Sequence, residues 1–214
     1  MQKLLHDTEN KKIKEMKKIL IQIGLFVVIV ALSYFVYSSI MEPVRFSKEK
    51  LDRESHVIQR LKDIRSSQFI FKQLSGAYAQ NFDTLISFLN TAEIPIVKII
   101  PDPSDTTFTL TINDTIGYVN VGDTLFGTRP NFKTSQIKVI PFSGGDIFEM
   151  DSDTIRRGGV KVYVFEAKAP FTTFLKGMDE QQVINIIAKF EDIEKYPGLK
   201  VGSLTEPSTD GNWE

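Results

Sequence analysis

The sequence contains no cysteine and only two histidines, His6 and His56, among its 214 residues. The first absence removes disulfides, thiolate metal sites and cysteine nucleophiles together. The second leaves the presumed folded part, which starts after residue 75, without an imidazole, so neither histidine catalysis nor histidine ligation is expected there. Charge of one sign is also missing: the formal net charge is -1, and nothing overall favours nucleic acid or a polyanion. No internal repeat or low-complexity block stands out. A composition of 42% hydrophobic and 25% charged residues is that of an ordinary globular chain.

Charge is absent in a second, local way. From Ile19 to Met41, "ILIQIGLFVVIVALSYFVYSSIM", 23 consecutive residues carry none. At about 1.5 Å per residue such a helix spans roughly 34 Å, enough to cross a bilayer with some tilt. The segment includes Gly24, and Tyr34 and Tyr37 stand toward one end, where aromatic rings favour the interface with water. A core helix of a soluble protein rarely runs this long without a charge. A cleavable signal would have a shorter apolar run and a small-x-small site, which "YSSIMEP" lacks. The first eighteen residues hold six lysines against three acids, a bias that places residues 1–18 in the cytoplasm and everything after Glu42 on the other side. The expected location is the bacterial inner membrane, with a lipid bilayer as the first partner.

Residues 42–75 read as a stalk that becomes a spine. Pro43 is expected to kink or restart the helix. From Ser47 to Gly76 there is no further proline or glycine. The first half is charged, with Leu51 and Val57 as sparse apolar points on a solvated stalk. Then Ile58, Leu61, Ile64, Phe69, Ile70, Phe71 and Leu74 spread beyond one face, and so wide an apolar surface must be covered by other protein. Gly76 supplies a C-terminal cap and Tyr78 folds back on the helix end. Asn81 or Asp83 caps a short helix bearing Phe82, Leu85, Ile86 and Leu89, which Pro95 ends.

Most of the remainder reads as strand. "VKII" (97–100) ends at the turn-like "PDPSD" (101–105), and "TFTLTIND" (107–114) alternates cleanly into a hairpin turn at Asn113-Asp114, followed by "TIGYVNV". "SQIKVIPF" (135–142) and "VKVYVFEAKA" (160–169) are two further strands, with "SGGD" and "RRGG" as turns between them. A late helix over 179–195 carries Val183, Ile186, Ile187, Phe190 and Ile193 at helical spacing, with Asp179 as N-cap and Pro197-Gly198 as stop. "LKVGSL" adds an edge strand, and the polar tail 205–214 is expected to be loosely held. The fold class is therefore α+β: a transmembrane helix continuing as a spine packed on a mainly antiparallel sheet, with one late amphipathic helix in an extracytoplasmic head over 76–204.

In Ile64, Ser67, Phe71, Gly76, Tyr78 and Leu85, the stretch "IRSSQFIFKQLSGAYAQNFDTLISFL" resembles the spine ending of the type IV pilin and type II secretion pseudopilin family. The resemblance covers about residues 19–90. It implies a membrane helix that continues as a spine under an antiparallel sheet, in a protein that works by assembly. The family's processing signal, a glycine before phenylalanine or methionine with glutamate at the fifth mature position, is absent: Gly24-Leu25 lies in the apolar run with Ile29 where the glutamate would fall. The resemblance therefore implies a pilin-like, permanently anchored component rather than a filament subunit.

Chemical motifs are sparse. Glu149, Asp151 and Asp153 could suggest a calcium loop, but acids at period two suit the solvent face of a strand better than a site needing five or more convergent oxygens. "SGGD" and "RRGG" lack the lysine and following helix of a phosphate loop. With 27 acids some carboxylate pair is always available, and a serine nucleophile would find neither its elbow motif nor a histidine base in the head. No catalytic residue, metal, cofactor or small-molecule substrate is expected. Candidate contact positions are Leu51, Val57, the hairpin tip Arg156-Arg157 and the terminal Trp213, a residue type favoured at interfaces that could equally tuck into the head. The late helix could likewise pack on the sheet or dock a neighbour. The expected partners are other envelope-assembly proteins and a second copy of the chain. Two rival readings are a single-pass assembly-platform scaffold with a ferredoxin-like head, and an envelope module that binds glycan or cell wall through a concave aromatic groove with convergent carboxylates.

Overall fold

A computed structural model describes residues 2–101, 111–129 and 131–214, with side chains described from residue 16 onward except those of 101, 111 and the intervening gaps. The chain divides into two compact units, Met1–Glu49 and Lys50–Glu214. One helix, α1 (Gln2–Ser75), contributes to both. Pro43 lies inside it, so the expected restart does not occur. A proline removes one backbone hydrogen bond, a local loss that helix on both sides can absorb.

In the first unit, α1 holds the one apolar segment among the described residues that is long and apolar enough to cross a membrane, and none of it is buried in protein. Ile19, Gly24 and Tyr34 are exposed and Met41 is half-buried. Exposed apolar side chains on every side of a helix are stable only in an apolar surrounding.

The second unit is the α+β head, and it begins well before residue 76. The last part of α1 is its central element: Val57, Leu61 and Ile64 are each 0% exposed. Val57 is thus core, not a point on a solvated stalk, and only Leu51 of the pair stays exposed. Their spacing of four and three continues through Gln68 and Phe71, a stripe along one helix face. α1 ends at Gly76, whose φ of +80° admits the left-handed cap and whose N–H donates to Lys72 O at 2.8 Å. Tyr78 then folds under the helix, with its ring 4.7 Å from that of Phe165.

After this turn, α2 (Phe82–Thr91) is capped by Asn81, whose side chain accepts from Thr84 N at 2.8 Å. It ends before Pro95, which instead lies in β1 (Glu93–Pro101), paired antiparallel with β2 (Thr111–Asn120) in a two-stranded ribbon. Proline is tolerated there because both strands are edges. The expected hairpin turn at Asn113-Asp114 is absent: these residues pair with Ile99 and Lys98. The apolar run "IPIVKII" offers a longer partner than a turn at 113 would allow, at the cost of a bulge that leaves Ile116 unpaired. The proposed turn "PDPSD" beyond Pro101 and the start of "TFTLTIND" lie outside the described residues.

α3 (Val121–Phe126) and a 3-10 helix (Thr134–Lys138) follow, neither of them expected. The second replaces the strand read at 135–142, of which only an isolated bridge, Val139 to Ile147, remains. Ile137, in this helix, and Ile140, just beyond it, are both buried, and a spacing of three does not fit one face of a strand. β3 (Glu149–Arg157), β4 (Val160–Pro170) and β5 (Gly198–Gly202) form a separate antiparallel sheet in the order β3-β4-β5. A short α4 (Phe171–Phe174) and α5 (Glu180–Asp192) connect β4 to β5. Asp179 caps α5 by accepting from Gln182 N at 2.7 Å. The helix stops at Asp192, short of Pro197, because Glu194 turns left-handed at φ +55°. Ile193 is consequently exposed.

The core lies between the spine, α2, the inner face of the three-stranded sheet and α4. Phe148, Phe165, Phe171 and Phe174 are its largest buried rings. The tail is held, contrary to the expectation of a loose end. Gly202 N donates to Asp210 O, Asn212 N donates to Lys200 O, and both bonds are 3.0 Å. Trp213 is half-buried against the core.

Candidate functional site

The head's internal machinery is concentrated on the spine. Gln68, fully buried, donates to Ala79 O at 2.9 Å and accepts from Ala79 N at 2.8 Å. Its amide thus treats the returning chain as a neighbouring strand would. Asp63, 4% exposed, accepts both arms of the Arg129 guanidinium at 2.8 and 2.9 Å. Arg60 adds a longer contact at 3.9 Å and donates to Gln136 O. The Phe132 ring lies against both guanidinium groups, Arg60 4.7 Å from its centroid and Arg129 at 4.8 Å. The bond to Asp63 raises the Arg129 guanidinium above its ordinary value against a smaller opposing effect of burial. Burial lowers that of Arg60, which Asp63 opposes and Arg129 reinforces.

Two more arginines reach outward from the spine. Arg53 donates to Phe174 O at 3.1 Å and Lys176 O at 2.9 Å. Arg65 donates to Thr209 O at 3.3 Å and pairs with the Glu214 side chain at 2.9 Å, which holds that carboxyl below its usual range. Of the expected spine residues, Leu61 and Ile64 are fully buried, Tyr78 is nearly so, and Ile58 and Phe71 pack at the margin, Phe71 edge-on to Phe88 at 4.9 Å. Phe69 and Leu74 are exposed. His56 belongs to the head rather than lying outside it, with its ring 5.4 Å from that of Phe142.

Gln68, Asp63 and the arginines did not stand out in the sequence as site residues. A signal existed for Gln68, which sits on the 57–61–64–68–71 stripe where a polar residue must find buried partners. No local signal points to Arg129, whose partner is far away in the chain.

Several surfaces remain open. The β1–β2 ribbon exposes Ile96, Val97, Ile99, Ile116 and Tyr118. α5 exposes Ile184 beside a groove of about 420 Å³ that also touches Leu175 and Met178. Arg156 and Arg157 are exposed at the β3–β4 hairpin tip, and the acids of β3 stand on its solvent side. Among the described residues, no group of three or more acids or histidines is arranged to hold a metal ion.

A polar cleft of about 470 Å³ is lined by Asn90, Asn120, Asp123, Phe126, Arg129 and Phe132 among others. Its rings are stacked against guanidinium groups, and Asp123 is its sole carboxylate among the described residues. On the outer face of the three-stranded sheet, Glu166 is paired with Lys200 at 3.0 Å and Lys168 at 3.3 Å. Burial first, then Glu149 and Glu166, pushes the nearby Tyr196 phenol up to about 12.

Compared with protein-family models, curated proteins and solved structures, the chain matches none.

Proposed function

We propose that the protein is a single-pass, non-enzymatic component of a pilus- or type II secretion-like envelope assembly, working by protein–protein contact. In this reading residues 1–18 are cytoplasmic, the apolar part of α1 crosses the inner membrane, and the head stands in the periplasm. The observation that carries it is the double use of one helix. Its segment over 19–41 is apolar and not covered by protein, while its last part is the buried spine of the head. Such a helix joins a membrane position to a rigid set of exposed surfaces. The pilin-like spine ending supports the same reading, since Gly76 caps the helix and Tyr78 packs beneath it. The assembly-platform rival is less well supported. The described strands form sheets of two and three rather than one ferredoxin-like sheet, and β5 pairs antiparallel with β4.

The test is in-cell cross-linking from single cysteines in a chain that has none of its own. Leu51 and Arg156 are suitable positions because both are exposed; Val57 is not, since it is buried. Cross-links from either position to envelope-assembly proteins, with the chain resisting alkaline extraction from membranes, are the expected result. Release by alkali, or a head without cross-links at both positions, would refute the proposal.

A further inference from the structure

β3 is the free edge of the three-stranded sheet. Among the described residues it pairs with β4 alone, whereas the outer side of β5 is bonded to the tail at Asp210 and Asn212. The β1 edge of the ribbon carries Pro95 and Pro101; β3 carries no proline to blunt it.

Its outward bonding groups can be assigned. Arg157 and Val160 flank the two-residue turn Gly158-Gly159, where φ values of +59° and +84° fit the left-handed hairpin geometry. Such a turn is closed by a mutually bonded pair, so Arg157, Ile155, Asp153 and Asp151 bond inward to β4 and the residues between them face outward. The Thr154 N–H agrees with this, since it is taken by the chain's own Asp153 carboxylate at 2.7 Å.

The charges on this edge change sign along the strand. "EMDSDTIRR" is acidic through Asp153 and basic from Arg156. Asp151, Arg156 and Arg157 are exposed and form no ion pair among the described residues. Edge charges of one sign would repel any added strand. A strand that changes sign halfway repels a parallel copy but attracts an antiparallel one.

We propose that β3 pairs antiparallel with β3 of a second copy about a two-fold axis at Thr154, joining the two sheets into one. This register sets Thr154 opposite Thr154 of the partner copy, and Asp151 opposite Arg157 twice. The outward groups of Ser152 and Arg156 become bonded partners. Shifting the axis to Asp153 would set two like charges face to face, and shifting it to Ile155 would shorten the pairing. The Thr154 N–H exchanges its Asp153 carboxylate for a carbonyl of the other copy, and the contact is self-complementary, as a two-fold interface requires. The inference rests on the contact-based function proposed above and names one partner for it.

The experiment uses the full chain in its native membrane. Directly opposed residues of an antiparallel pair lie about 4.5–5.5 Å apart at Cα, within disulfide range. Thr154→Cys is therefore expected to give a disulfide-linked dimer on mild oxidation, while Lys189→Cys, exposed on α5, gives none. Adding Arg157→Asp should lower the dimer yield roughly tenfold, because both cross-strand pairs become repulsive. Adding Asp151→Arg as well should restore it. A Thr154→Cys yield no higher than that of Lys189→Cys, with Leu51→Cys still linking to other envelope proteins, would overturn self-pairing and leave the proposed function standing. Absence of links from all three positions would remove both. A dimer insensitive to Arg157→Asp would overturn the charge-matched register.

Discussion

Replacing Gln68 by leucine isolates the bond that closes the spine. Leucine has nearly the same volume, so the change deletes hydrogen bonds without opening a large cavity. Two bonds of 2.9 and 2.8 Å are lost together with a weaker one to Met150 Sδ at 3.2 Å, and both backbone groups of Ala79, a residue 1% exposed, are left without their partner. An unsatisfied buried group costs about 1–3 kcal/mol, so the pair should cost roughly 2–6 kcal/mol, with about 3 kcal/mol as the working value. For a unit of this size about 1 kcal/mol corresponds to roughly 2–4 °C in melting temperature, giving an expected fall of about 6–12 °C. Trp213 is the chain's single tryptophan and packs on the head's core, so its fluorescence follows head unfolding in the detergent-solubilised full chain. Gln73→Leu is the comparison, since Gln73 lies on the same helix and is exposed. Exposed substitutions usually stay within about 0.5 kcal/mol. Equal melting temperatures for the two variants would refute the assignment of Gln68 as the closing bond.

Asp63→Asn keeps the shape but removes the charge that two guanidiniums face. Breaking a fully buried pair costs about 3–5 kcal/mol, and because Arg129 keeps part of its solvent the expected loss is about 2–3 kcal/mol, measured by denaturant unfolding. A loss below about 0.5 kcal/mol would show the network to be dispensable. Tyr196 should titrate by ultraviolet absorbance near 12 rather than 10, with Tyr196→Phe removing that transition. The unfolded chain releases this proton near 10 and the folded chain holds it to about 12, so the unfolded state binds fewer protons in that window and stability falls with pH across it. A Tyr196 midpoint at the ordinary value would contradict the burial of its hydroxyl.

The elements legible in the sequence were those whose signal is local. The caps at Gly76, Asn81 and Asp179, the Gly158-Gly159 turn and the strand over 160–169 each follow from residues within a few positions of one another, whereas β3 shows in the sequence only as acids at period two. The misreadings fall where distant chain decides. Asn113-Asp114 has turn chemistry, yet the apolar strand 93–101 pairs straight past it. The stretch 135–142 reads as a strand, but its two buried isoleucines are three apart, a spacing that one strand face does not provide. The tail looked loose because its composition is polar, whereas backbone bonds to β5 and the Arg65–Glu214 pair hold it. Val57 reads as exposed because charges surround it in sequence; in the fold Arg53 and Arg60 are taken up by backbone carbonyls of the head and Asp63 by Arg129, so charges flank a stripe that is itself buried.

The polar contacts of the spine address a weakness of its apolar ones. A stripe of aliphatic side chains repeats with each helical turn, so on packing alone a helix shifted by about 5.4 Å would find similar neighbours. Backbone carbonyls do not repeat in this way. Arg53 reaches Phe174 and Lys176, Arg60 reaches Gln136, Arg65 reaches Thr209, and Gln68 grips Ala79, so four turns of one helix are keyed to four separate segments of the head. A one-turn slip would break all of them at once and leave Asp63 buried without Arg129. The helix is therefore locked along its axis as well as packed, and an axial push or pull on it is borne by the head as a unit.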